Sequence, residues 1–241
     1  MPNSVGNNSN SNSVSNGTSS FPDFFQGWLV TQRSYLEQLN SLISSSQNHP
    51  DEDLLKSLVG RVLAHYQNYY ETKSRAASEN VFLLFSPPWF STFERTFLWI
   101  AGFKPGVAFR IVDGQVGDEL TAQQHQRIQR LWAETRSMEK ALSDEMVRLQ
   151  ENIVGPSWVY MVGRTDGQVV NGEVDELVGT TRGGLTDLVV NADYLRATTA
   201  RELVDILTPI QAAKFLAAIA HLQLKIRSWG LQKDAERATI S

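Results

Sequence analysis

The sequence predicts an all-α fold, a bundle of about seven or eight helices behind a disordered N-terminal tail. Three observations carry this. Apolar residues recur at three- and four-residue steps along most of the chain, the period of an amphipathic helix. Helix-start signatures stand at Ser91-Thr-Phe-Glu94, Thr121-Ala-Gln-Gln124 and Thr208-Pro-Ile-Gln211. No segment alternates between apolar and polar residues as a half-buried strand does.

The tail comes first. Residues 1–20 carry no charged side chain, and thirteen of the twenty are Ser or Asn. Such a segment cannot bury enough apolar surface to offset the entropy of ordering, and it lacks the basic start and apolar run of a secretory signal. Order is expected from Phe21, where Phe21, Phe25, Trp28, Leu29, Leu36, Leu39 and Ile43 fall mainly on one helical face. Gln32, Arg33 and Glu37 are expected on the other sides. Polar residues 44–50, ending in Pro50, close this helix.

A second helix is expected over about 51–73, with Asp51, Glu52 and Asp53 at its positive N-terminal end. A third stretch, 75–85, ends at Ser86-Pro87-Pro88. The capping box at Ser91 and Glu94 predicts a helix over 92–100, with Gly102 as its stop. Both faces of that run are apolar, so Trp99 is expected to be largely buried.

The box at Thr121 opens the longest periodic run, through Ile128, Leu131, Met138, Leu142, Leu149 and Ile153. Thr135 and Trp132 on or near its stripe favour an antiparallel bundle helix over a solitary coiled coil. Seven of the sixteen glycines fall in 155–184, which reads as a mobile loop. Helix is expected again from about Glu173 or Leu185. Thr208, Pro209 and Gln211 then open a last helix through Trp229, apolar almost all round from Ala212 to Leu224 and so buried on most sides. The ordered domain is thus expected over about 21–230, with 231–241 as a short C-terminal tail.

Composition narrows the function. The net charge is −4, from 22 basic and 26 acidic residues, which argues against a globally basic nucleic-acid binder. Cysteine is absent, which removes disulfides, thiolate metal sites and a thiol nucleophile. His49, His65, His125 and His221 are scattered, with no HExxH or HxxxH pair, and no metal site is expected. His65 reads as a packed side chain. His221, alone on an apolar helix, is either a buried neutral imidazole or an axial ligand to a haem. Gly179-Thr-Thr-Arg-Gly-Gly184 lacks the Lys of a phosphate loop, and GxSxG is absent. Asp144 and Glu145 read as solvating charges. No catalytic residue is assigned.

One tract stands apart. Trp89, Phe90, Phe93, Phe97, Trp99 and Phe103 lie within fifteen residues. Core packing explains most of them, but aromatic side chains also dominate binding anchors, and such an interior has room for a planar or acyl ligand between helices.

The residues of this tract resemble a known family. Ser86-Pro-Pro-Trp89 and Phe93-Glu-Arg-Thr-Phe-Leu-Trp-Ile-Ala-Gly-Phe-Lys-Pro105 are similar to the signature of the plant delay-of-germination domain, which also forms the C-terminal part of TGA-type bZIP transcription factors. Phe25-Gln-Gly-Trp-Leu29, His65-Tyr66, Tyr69-Tyr70, Lys73, Leu120-Thr121 and Leu207-Thr-Pro209 with Gln211-Ala-Ala-Lys-Phe215 agree in order, so the resemblance covers about residues 21–230. Within that signature Trp89, Phe93, Glu94, Arg95, Trp99, Gly102, Phe103 and Pro105 are expected to be structural.

The resemblance implies regulation and not catalysis. Free-standing members act in seed dormancy and abscisic-acid signalling and are linked to type 2C protein phosphatases, which implies a nuclear or cytoplasmic protein. By resemblance the first helix is the phosphatase-contact element, here through Asp23, Phe24 and Trp28. The bZIP members imply an alternative, transcription regulation with sequence-specific DNA binding or contact with bZIP factors. This chain has no Lys/Arg-rich helix running into a leucine zipper, so direct DNA binding is not expected. Haem or lipid binding is a further implied alternative, with His221 as the haem candidate, but no cofactor is the expectation here.

Overall fold

A computed structural model of the chain describes residues 20–45, 51–153 and 171–239. Except for Ser20, the tail expected over 1–20 lies outside the described residues, as does His49. Eight α-helices occur among them: α1 (Phe21–Ser45), α2 (Glu52–Asn80), α3 (Phe82–Phe85), α4 (Thr92–Arg95), α5 (Val107–Val116), α6 (Ala122–Ile153), α7 (Asn171–Ile206) and α8 (Pro209–Ala238). A 3-10 turn at Gly117–Glu119 joins α5 to α6. Among the described residues there is no strand, and the fold is all-α as the periodicity predicts.

Helix starts follow local chemistry. Asp51 accepts the Leu54 N–H at 3.0 Å and caps α2. Ser91 and Glu94 form the reciprocal capping box of α4, and Thr208 and Gln211 that of α8. The Thr121 and Gln124 pair caps α6 in the same way. Gln124 also donates to Ile206 O and Gln211 Oε1, so the starts of α6 and α8 are tied together.

Three helix boundaries differ from expectation, each for a tertiary reason. The third stretch merges with α2 to Asn80 and continues as the single turn α3. The glycine-rich stretch is helical from Asn171 onward, and only 155–170 lies outside the described residues. Glycine lowers helix propensity, but α7 packs antiparallel on α6 and buries Leu185, Leu188 and Val189. At Gly184 a Cβ would run into the Leu149 side chain, so this glycine permits the close approach. The expected C-terminal tail, 231–241, is helical to Ala238. Lys233 and Gln232 both bond Glu236, and Asp234 accepts the Thr92 N–H at 2.8 Å, which holds the last turns against α4.

The last helix is the hub. α8 contacts α1, α2, α4 and α5, while α6 and α7 form a hairpin that packs on α2 through α7 and on the start of α8. The main core gathers Leu39, Leu55, Val62, Phe109, Leu203, Phe215 and Leu216. A second cluster joins Ala77, Val81 and Leu84 to Ile100 and to Leu188, Val189 and Ala192 of α7. A third is aromatic, with Phe25 and Trp28 at its centre.

Close packing of α8 against α4 makes a testable point. Gly230 faces Ser91 and Phe93, and a Cβ there would overlap the Ser91 hydroxyl. Ala has the better helix propensity by about 1 kcal/mol, yet overpacking costs about 1–3 kcal/mol and the clash falls on a capping atom. Gly230→Ala is therefore expected to destabilise by about 1–2 kcal/mol in urea denaturation. A variant as stable as the parent or more so would show that α4 moves freely on α8.

Candidate functional site

The aromatic tract does not form the helix expected over 92–100. α4 ends at Arg95, and the chain turns back so that Trp99 and Gly102 exchange backbone hydrogen bonds, at 2.7 and 3.2 Å. Ile100 and Ala101 take positive φ values of 45° and 57°, a region costly for residues with a Cβ. This turn is clamped from almost a hundred residues away. The Arg196 guanidinium, buried on α7, donates to Phe103 O at 2.7 Å, to Ile100 O at 3.0 Å and to Trp99 O. After Arg95 the chain tightens, with Thr96, Phe97 and Leu98 N–H donating to Phe93, Glu94 and Arg95 O, and Arg196 clamps the carbonyls of the turn that follows. Gly102 follows from the same contact, because a Cβ there would meet the Arg196 Cζ at 2.8 Å.

Arg196 is itself held. Asp193 Oδ1 accepts from Arg196 Nη1 at 2.5 Å and from Lys73 Nζ at 2.9 Å, with all three side chains buried. Burial is the larger influence on Lys73 and brings its pKa down to about 8, although Asp193 opposes the shift.

A second buried ion pair fixes the other end of the tract. Glu94 accepts from Ser91 N at 2.7 Å within its capping box and pairs with Arg227 of α8 at 3.3 Å. Arg227 also donates to Trp89 O and lies over the Phe25 ring. Pro105 is buried, and Glu139 accepts the neighbouring Gly106 N–H at 2.6 Å.

This machinery presents aromatic rings to solvent. Phe93 and Phe97 are 38 % and 41 % exposed and meet edge to face, with centroids 5.0 Å apart. Phe103 lies 6.2 Å from Phe97 and is half-buried. Trp99 is half-buried rather than enclosed in a helix, and its Nε1 donates to Ser143 Oγ at 3.0 Å. Arg95 is exposed and donates to Phe90 O. Trp89 and Phe90 pack into the aromatic cluster around Phe25.

On α1 the three expected contact residues separate. Asp23 is exposed and bonds Ser20, and Phe24 is half-buried beside Phe21. Trp28 is only 4 % exposed and is no surface contact. It stacks on His65 at 4.6 Å and donates its Nε1 to His65 O at 3.2 Å. Gln32, expected on an outer side, is completely buried and bonds Tyr66 and Gln223.

His65 is packed as expected, with its Nε2 unpartnered. Burial lowers its pKa from 6.5 to about 4. Between those values the unfolded chain binds a proton that the folded chain refuses, so stability falls as pH drops from 6.5 toward 4. His65→Phe keeps a ring against Trp28 and is expected to remove about 2–3 kcal/mol of that acid loss. Chemical denaturation at pH 7, 5.5 and 4 checks it, and equal slopes for both proteins would contradict it.

His221 is not buried, contrary to one of the two sequence readings. It is exposed in a groove of about 550 Å³ between α1, α5 and α8, beside Lys225 and Trp229. No second His, Met or Tyr lines that groove, so a haem there would have one such ligand and lie open to water. The residues do not fit a buried haem. No group of His, Asp and Glu suited to a metal ion occurs among the described residues. Asp144 and Glu145 are exposed and pair with Lys140 and Arg148.

Beneath the aromatic loop lies a cavity of about 180 Å³ that sequence reasoning does not locate. Glu94, Leu98 and Phe103 of the tract line it, together with Lys73, Asp193 and Arg196.

The comparisons with known proteins fit this construction. The profile of the DOG1 family, described as seed dormancy control, matches residues 36–113. Protein RESPONSE TO ABA AND SALT 1 of Arabidopsis thaliana is 36 % identical over 228 residues, covering 91 % of this chain and 96 % of that protein. Protein ZW2 of the same plant is 31 % identical, covering 90 % and 99 %. Transcription factor TGA5, also of Arabidopsis thaliana, is 30 % identical over 88 % of this chain, which spans 64 % of that protein. The profile match ends past the aromatic tract, and the relatives span nearly the whole chain, so the chain belongs to the DOG1 seed dormancy control family.

Proposed function

We propose that this chain is a non-enzymatic plant regulatory protein of the seed-dormancy and abscisic-acid-signalling type, acting by protein–protein contact with type 2C protein phosphatases. The observation that carries the reading is the placement of Phe93 and Phe97. Two large apolar rings stand in solvent on a short tract anchored by two buried ion-pair clusters. Rigid aromatic anchors lose little conformational entropy on binding and dominate interface energetics. The name of the relative linked to abscisic acid and salt supports the physiological setting. Asp23 and Phe24, at the start of α1, are the phosphatase contacts that the family resemblance implies.

A second reading has one observation in its favour. The similarity to a TGA transcription factor over 88 % of the chain supports regulation of transcription through contact with bZIP factors, and with it a nuclear setting. Among the described residues no helix is long and apolar enough to cross a membrane. Co-elution separates the readings. The full chain is expected to co-elute with a purified plant type 2C phosphatase in size-exclusion chromatography. Co-elution with a TGA factor alone would replace the first reading with the second.

A further inference from the structure

We propose that the cavity beneath the aromatic loop is a binding site for a compact monocarboxylate with a single-ring apolar body. The argument rests on charge, size and lining, and is independent of which protein partner docks above.

Charge comes first. Lys73 and Arg196 share one oxygen of one carboxylate, Asp193 Oδ1, so this buried corner of the cavity holds one positive charge in excess. Buried charge is stable only when paired and hydrogen-bonded. Arg196 also serves three backbone carbonyls. Lys73 has three N–H groups, and Asp193 is its one hydrogen-bond partner among the described residues. Tyr69 and Tyr70 line the same cavity. A single carboxylate would neutralise the excess and accept from Lys73.

Size and lining define the rest of the ligand. Away from this corner the walls include Leu63, Ile111, Ala197, Leu216 and Ile219, which suit an apolar body. The volume of about 180 Å³ slightly exceeds the roughly 150 Å³ cavity that takes up benzene in an engineered protein. One ring with a short acid arm fits this volume. Arg196 links this corner to the carbonyls of Trp99, Ile100 and Phe103, so an occupant would brace the loop that carries Phe97.

The test is calorimetric titration of the full chain with benzoate and phenylacetate. Benzamide serves as the neutral isostere and hexadecanoate as the long-chain control. At least one ring acid is expected to bind ten-fold or more tighter than benzamide and to raise the melting temperature. Lys73→Met, which leaves Arg196 and Asp193 as a neutral pair, is expected to lose that preference. Ala197→Leu fills the cavity with its charges intact and is expected to lose binding altogether, which keeps the test decisive if the Lys73 variant fails to fold. Absence of binding at millimolar ring acid, equal binding of benzamide, or unchanged binding in the Ala197 variant would overturn the proposal. Tighter binding of hexadecanoate than of either ring acid would overturn the assigned ligand class.

Discussion

Arg196→Met is expected to cost about 3–5 kcal/mol, the range for breaking a buried, hydrogen-bonded charge cluster. The substitution keeps side-chain volume and removes the guanidinium. Three carbonyls, of Trp99, Ile100 and Phe103, then lose a donor inside the protein. Asp193 keeps only Lys73. Ile100 and Ala101 also lose the contact that holds them at positive φ, a conformation costing on the order of 1–3 kcal/mol per residue. Arg196→Lys is not expected to rescue, because an ammonium cannot span the planar set of acceptors. Urea denaturation measures the loss. A loss under 1 kcal/mol would mean that the loop folds without its clamp.

Trp28→Ala has an expected cost of similar size, about 3–5 kcal/mol, the range for deleting a buried large aromatic ring. The indole fills the space between α1 and α2, in ring contact with Phe25, His65, Tyr66 and Tyr69. Its removal opens a cavity and leaves His65 O without its donor. Trp28→Phe retains part of the packing but not the hydrogen bond, and is expected to fall between the parent and the Ala variant. If Trp28→Ala lost less than 1 kcal/mol while weakening a protein contact, the residue would belong to a binding surface after all.

These two residues also mark where the sequence was legible. Trp28 sits in the apolar stripe of the first helix, so its burial follows from spacing alone. The capping boxes at Ser91, Thr121 and Thr208 were equally readable, because the whole signal lies within four residues. α5 was not: Val107–Val116 carries no capping box and has glycine at both flanks. The turn at Ile100 and Ala101 was hidden for a deeper reason. Locally, 92–100 satisfies the rules for a helix, and the clamp that holds the turn, Arg196, is distant in sequence.

The cavity and its charges were invisible on the same grounds. Lys73, Asp193 and Arg196 each look like ordinary polar residues on amphipathic helices. Only the packing of α2 against α7 makes them neighbours. Gln32 is the reverse case. Its position within the first helix looked polar and outward, yet Tyr66 and Gln223 give its amide partners inside the core. The glycines of 171–184 misled because their number suggests a loop, whereas α6 requires closeness at Gly184.

The most direct test of function by surface contact is the affinity of a purified plant type 2C phosphatase for the full chain and for the double variant Phe93→Ser, Phe97→Ser. Each ring is only partly covered, so the variant is expected to keep its helical circular dichroism and to lose about 1–3 kcal/mol of stability while remaining folded. Isothermal titration calorimetry is expected to show binding to the parent and at least ten-fold weaker binding to the variant. Equal affinity for two equally folded proteins would contradict the account and move the contact away from the aromatic loop.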